Sequence, residues 1–129
     1  MRPPLGRDEI TTFLADLAHL QIHGSGREMV QRMALPLAYY LPDRVLVFSS
    51  ADKLAERFDA HSAYLYVCRV TRIEARNLSI LDATPDRALV QLDWHYLSST
   101  DETLRSARVQ YVMGRAPGGG DLRLELVDY

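Results

Sequence analysis

The histidines and carboxylates of this chain offer three candidate centres for chemistry. In "ALVQLDWHYL", residues 88–97, Asp93 and His95 stand two apart. On an extended strand such residues share a face, where they would form an acid–base couple. His61 lies in "ADKLAERFDAHSAYLY", where Leu54, Ala55, Phe58, His61, Ser62 and Leu65 fall on one side of a helix. An imidazole buried there would have a lowered pKa and, neutral beside an apolar pocket, would suit general-base work. It could equally be a structural histidine, satisfied by a backbone carbonyl or a tyrosine hydroxyl. Asp128 follows Leu122, Leu124 and Leu126 in a strict alternation, which would aim its carboxylate into the mouth of the same pocket.

Two lesser candidates complete the inventory. His19 and His23 are four apart, a spacing that puts two imidazoles on one helix face, but a metal site needs three or four ligands and no third is evident. No metal and no cofactor are therefore expected. The single cysteine, Cys68, near the end of a helix, has no nucleophile pattern around it and is expected as a buried, inert thiol.

Which way these groups face depends on the elements that carry them. A helix is expected from about Asp8 to Leu20, since Ile10, Phe13, Leu14, Leu17 and Ala18 form one amphipathic stripe. Gly24 stops it, and Ser25 with Glu28 makes a capping box for a short second helix. "LPLAYYLPDRVLVFSS" reads as two short strands about a Pro42–Asp43 turn, and Ser49 or Ser50 caps the helix that carries His61. From about Arg69 the apolar period drops from near 3.6 to 2. Thr71, Ile73 and Ala75 share a face, but beyond Asn77 the apolar positions become Leu78 and Ile80. One extra residue does this, so a β-bulge is expected near Arg76–Asn77. Three further strands follow, separated by "ATPDR", "SSTDET" and "APGGGD".

The order is thus helix, helix, two short strands, helix, then four longer strands. That pattern predicts one α+β domain over residues 1–129, a cone-shaped α+β barrel with three helices on a strongly bent, mostly antiparallel sheet. The apolar sheet face must meet the helices, because nothing else can cover it. Phe13, Leu17, Phe58, Trp94, Tyr96, Tyr111, Met113, Leu124 and Leu126 then point inward and would line a pocket or fill the core. Arg72, Glu74, Gln91, Asp93, His95, Arg108 and Gln110 point outward, as a wet face or a dimer interface. By this parity the Asp93/His95 pair is an outer-face feature, and His61 and Asp128 are the catalytic candidates.

Composition narrows the function classes. A net charge of −2, with fourteen arginines and one lysine scattered along 129 residues, lacks the basic stripe of a nucleic-acid binder. No apolar run reaches the roughly 20 residues of a membrane span, and "MRPPLGRDEI" has no signal-peptide core. With a single cysteine, a cytoplasmic home is the expectation.

The element order, the bulged long strand and the tail "ALVQLDWHYL…ARVQYVMGR…GGGDLRLELV" resemble the nuclear transport factor 2-like, or SnoaL-like, superfamily over nearly the whole chain. The resemblance implies a conical fold that serves isomerases, polyketide cyclases, dehydratases, hydrolases and non-catalytic factors alike, so it does not assign an activity. The first helix carries Phe13 where ketosteroid isomerases are expected to place a tyrosine. The ending "VDY" matches the aspartate and tyrosine of the "RDY" segment of limonene epoxide hydrolase, with Val127 in place of the arginine. Two readings follow. One is a small-molecule-binding domain with an aromatic, largely apolar pocket, catalytic or not. The other is a non-catalytic homodimerisation or protein-interaction module that uses the outer sheet face.

Overall fold

The computed structural model describes residues 2–129. Helix α1 (Arg7–His23) is followed by α2 (Gly26–Val30), strands β1 (Met33–Tyr40) and β2 (Val45–Phe48), helix α3 (Ala51–Val67), and strands β3 (Arg72–Ala83), β4 (Arg87–Leu97), β5 (Thr103–Arg115) and β6 (Leu122–Asp128). The element order is the one the sequence predicts. Six strands form one open, mixed sheet in the order β2-β1-β6-β5-β4-β3. Only the β1–β6 pair is parallel. The helices cover one face of this sheet, giving the cone-shaped α+β architecture.

Helix α1 buries its predicted stripe and runs one turn further than expected, so that Gln21 is buried as well. Gly24 ends it, donating its backbone N–H to Leu20 O at 2.9 Å. The Ser25–Glu28 capping box forms in full. The α2 helix begins at Gly26, where a Cβ would collide with the Ala55 carbonyl of α3, and its amide donates to Asp59 Oδ1 at 2.6 Å. Only glycine allows this close approach, and it fixes α3 against the start of α2. Ser50 caps α3, accepting from the Lys53 amide at 3.3 Å.

Five register shifts interrupt the sheet, one between Met33 and Ala38 of β1, one at Tyr96–Leu97 of β4, and three more in β3 and β6. The bulge in β3 falls where the parity change puts it: Asn77 has φ 55°, and the register steps from Arg76↔Asp93 to Ser79↔Gln91. A second extra residue follows, between the Ile80↔Val90 and Asp82↔Leu89 pairs. The third lies between the Val112↔Leu126 and Met113↔Leu124 pairs of β5 and β6. There Glu125 is the extra residue, and every later side chain of β6 swaps faces. Val127 therefore sits opposite Tyr111 and is buried, while Leu126 and Asp128 turn to the outside. This corrects the inward placement of Leu126 and Asp128 that simple alternation predicts.

The core beneath the helices holds Trp94, Met113, Leu92, Val90 and Val109 from the sheet, with Ile10, Leu14 and Leu17 of α1 and Leu54 of α3. No helix among the described residues is long and apolar enough to cross a membrane.

Candidate functional site

At the wide end of the cone a cavity of about 580 Å³ remains between the helices and the sheet. Leu17 and Gln21 of α1, Phe58, His61 and Tyr64 of α3, Tyr39 of β1, Tyr96 of β4, Tyr111 of β5 and Leu124 of β6 line it, with Tyr129 beyond β6. Of the nine residues expected to point inward and line a pocket or fill the core, Leu17, Phe58, Tyr96, Tyr111 and Leu124 line this cavity, and Leu126 turns outward. Phe13, Trp94 and Met113 point inward but lie deeper, in the packed core below the cavity.

His61 faces this cavity from α3, half-buried. Its Nε2 stands 3.2 Å from Gln21 Oε1, so with the amide oxygen as acceptor Nε2 carries the hydrogen and Nδ1 keeps its lone pair. Gln21 is itself anchored, its backbone carbonyl accepting from Ser62 Oγ at 2.8 Å. The His61 ring meets the Tyr96 ring edge to face, with centroids 6.4 Å apart. Burial holds the His61 pKa below the ordinary 6.5, and the positive charges of Arg105 and Arg57 push it the same way. The imidazole is therefore neutral at physiological pH.

Tyrosines dominate the walls. Tyr39 and Tyr129 stack with centroids 6.4 Å apart. Tyr129 as a residue is partly exposed, but its hydroxyl is desolvated, which raises its pKa against the opposing charges of Arg105 and Arg57. Tyr111 Oη accepts from Trp94 Nε1 at 2.7 Å, a buried bond that orients the hydroxyl from below. Burial raises the pKa of Tyr39, Tyr96 and Tyr111, so all three are neutral hydroxyls near pH 7. Such a cavity offers flat apolar walls, several O–H donors and one neutral imidazole. That set can hold a ring system, polarise a carbonyl and move a proton.

The other candidates lie elsewhere. Asp128 is exposed on the outer face, opposite Gln110, and is absent from the cavity lining. Asp93 and His95 are also on that outer face. Asp93 accepts from Arg108 Nε at 3.0 Å and from Asn77 Nδ2 at 2.8 Å, and His95 Nδ1 is 3.3 Å from Arg76 Nη1. Arg72 and Arg76 pair with Glu74, and Gln110 donates to Gln91 at 3.0 Å. His19 and His23 approach with ring centroids 4.8 Å apart, in a groove of about 640 Å³ between α1 and β3. No cluster of three or more His, Cys, Asp or Glu side chains suited to a metal occurs among the described residues. A third hollow, about 560 Å³, lies beside the Gly118–Gly119 turn. Cys68 is exposed at the C-cap of α3, which corrects the expectation of a buried thiol.

Several lining residues escape the sequence reading, although most of them carry a signal. Gln21 continues the α1 stripe four residues beyond Leu17. Arg57 precedes His61 by one turn. Arg105 continues the inward alternation of Ala107, Val109 and Tyr111, and sits directly across from Tyr96. Tyr129 has no such signal, because only the Glu125 bulge turns it inward.

No protein-family model matches this sequence, and no curated protein matches it. Solved structures do. Aln2 from a Streptomyces species superposes with a TM-score of 0.71 at 13% identity, over 99% of this chain and 92% of that one. An NTF2-like protein with a cystatin-like fold from Novosphingobium aromaticivorans gives 0.69 at 15% identity, over 95% and 79%. A protein from Catenulispora acidiphila, solved in complex with S-DNPA, gives 0.69 at 15% identity, over 94% and 90%. At these identities the likeness is one of architecture, and the chain has the nuclear transport factor 2-like fold.

Proposed function

We propose that this chain is a binding domain for a small molecule with a largely apolar, ring-shaped body, seated in the aromatic cavity. The observation that carries this reading is the cavity itself, about 580 Å³ lined by five tyrosines and one histidine. That volume and lining are those of small-ligand sites. A structural neighbour solved in complex with S-DNPA adds support. If the bound molecule reacts, His61 is the group placed to take or give a proton, with tyrosine hydroxyls polarising a carbonyl. This is chemistry for isomerisation, cyclisation, dehydration or hydrolysis without a bound cofactor. Calorimetric titration with 2-naphthamide tests the reading. Binding to the native protein and its loss in Ala107→Trp, which fills the cavity from β5, are expected. A native protein that binds no bicyclic probe would sink it.

A second reading concerns the outer face, and it is compatible with the first. Val47, Ala38, Leu126, Val112 and Leu89 stand opposite one another across five strands, making an apolar row on the side away from the helices. Val47 is 64% exposed and Val45 beside it 51%. Paired charges of both signs, Asp93–Arg108 and Glu74–Arg72, lie on the same face, so it suits a second copy of the same chain in a homodimer. Light scattering should give twice the chain mass for the native protein and the chain mass for Leu126→Lys. We further place the protein in the cytoplasm, where its exposed thiol, Cys68, stays reduced.

A further inference from the structure

An apolar ligand has no need of the two arginines that frame this cavity. Arg57 lies across the Tyr39 and Phe48 rings, its guanidinium carbon 5.5 Å and 5.7 Å from their centroids. Arg105 stands opposite Tyr96 on the inward side of β5. Both belong to the lining, which contains no aspartate and no glutamate. Eight arginines elsewhere, from Arg2 to Arg115, pair with carboxylates, and four that do not, Arg7, Arg44, Arg69 and Arg123, lie outside this lining. Among the described residues, Arg57 and Arg105 pair with none. Their fields converge on the same space, since both act on His61 and on Tyr129. Two positive charges on one cavity lining with no acidic side chain beside them raise the local positive potential, which favours an anion there.

We propose that the cavity selects a carboxylate: its ligand is an aromatic or polycyclic organic acid whose rings lie among Tyr39, Phe58, Tyr96 and Tyr111, with the anion held at the mouth between Arg57 and Arg105. This rests on the cavity being a ligand site, as proposed above, and adds the chemical class. The planar guanidinium fork matches a carboxylate in two-point hydrogen bonding, which a lysine would not reproduce. Arg57 already rests beside two rings, which lowers the conformational freedom lost when the anion arrives.

The experiment compares 2-naphthoate with its neutral isostere 2-naphthamide by calorimetry at pH 7.5, on the native protein and on Arg57→Gln/Arg105→Gln. Both substituted positions are exposed, and circular dichroism checks that the fold is kept. Native protein should bind the naphthoate roughly ten- to a hundredfold more tightly than the amide, the range expected for charge-assisted hydrogen bonds. The double variant should lose that preference, its affinity for the naphthoate falling to the level of the amide. Equal binding of both probes by native protein overturns the carboxylate assignment and leaves the cavity reading standing. A preference that survives the double substitution overturns it too. Binding of neither probe removes the cavity reading and this proposal together.

Discussion

The two faces of the sheet handle polar groups in opposite ways. On the outer face the charges of β3, β4 and β5 have protein partners. Asp93 accepts from both Arg108 and Asn77, which holds its carboxyl below the ordinary range, and Glu74 is held down in the same way by Arg76 and Arg72. In the cavity, His61 has only the neutral amide of Gln21, the tyrosine hydroxyls face inward, and Arg57 and Arg105 have no carboxylate. Neutralised charges on a wet face add little to stability and have no bond left to offer. Unneutralised groups gathered around a hollow keep their bonding capacity, which makes them the better pointer to a ligand. The Asp/His pair that looks most like a catalytic couple in the sequence is thus the finished, structural one.

Substitutions on the two sides of the sheet test this contrast. The largest effect is expected at Trp94, which points to the cavity side but is only 1% exposed. Trp94→Ala should cost about 3–5 kcal/mol in urea unfolding, because it leaves a core void and strips Tyr111 of its donor. A cost near zero would mean the cavity floor is not packed. Gln21→Leu comes next. It leaves His61 Nε2 without its partner and should cost about 1–2 kcal/mol.

A smaller signature is expected from pH. The folded-state pKa of His61 lies below its unfolded value of 6.5. The unfolded chain therefore takes up a proton first, and this contribution to stability is full above about pH 6.5 and declines as the pH falls towards the folded value. His61→Gln should flatten that part of the stability profile. The smallest effect is expected outside: Asp93→Asn should change unfolding only slightly and leave the affinity for 2-naphthamide unaltered. A loss of binding there would erase the distinction between the faces.

Much of the architecture is legible in the chain, and the reasons are local. The α1 stripe from Ile10 to Ala18, the Ser25–Glu28 cap and the Asn77 bulge all show as changes in apolar period or as capping chemistry. The bulge at Glu125 is different. In "LRLELVDY" the alternation of leucines continues through Leu126 on both sides of the extra residue, so no change of period reveals it. Alternation accordingly aims Asp128 inward and gives no sign of Tyr129.

The type and order of the elements, and the side of the sheet to which most residues point, are set within short stretches of the chain. These follow from helical and strand periodicity, which are properties of a few adjacent residues. Tertiary structure alone decided depth and partnership. Trp94, Tyr96 and Tyr111 all face inward, yet Trp94 is floor while the two tyrosines are wall. That division depends on how far α1 and α3 stand off the sheet, and hence on contacts such as Gly26 against Ala55. The meeting of Arg57, His61, Arg105 and Tyr129 likewise joins residues from α3, β5 and the end of β6. Periodicity records direction along one element and carries no record of the distance to another.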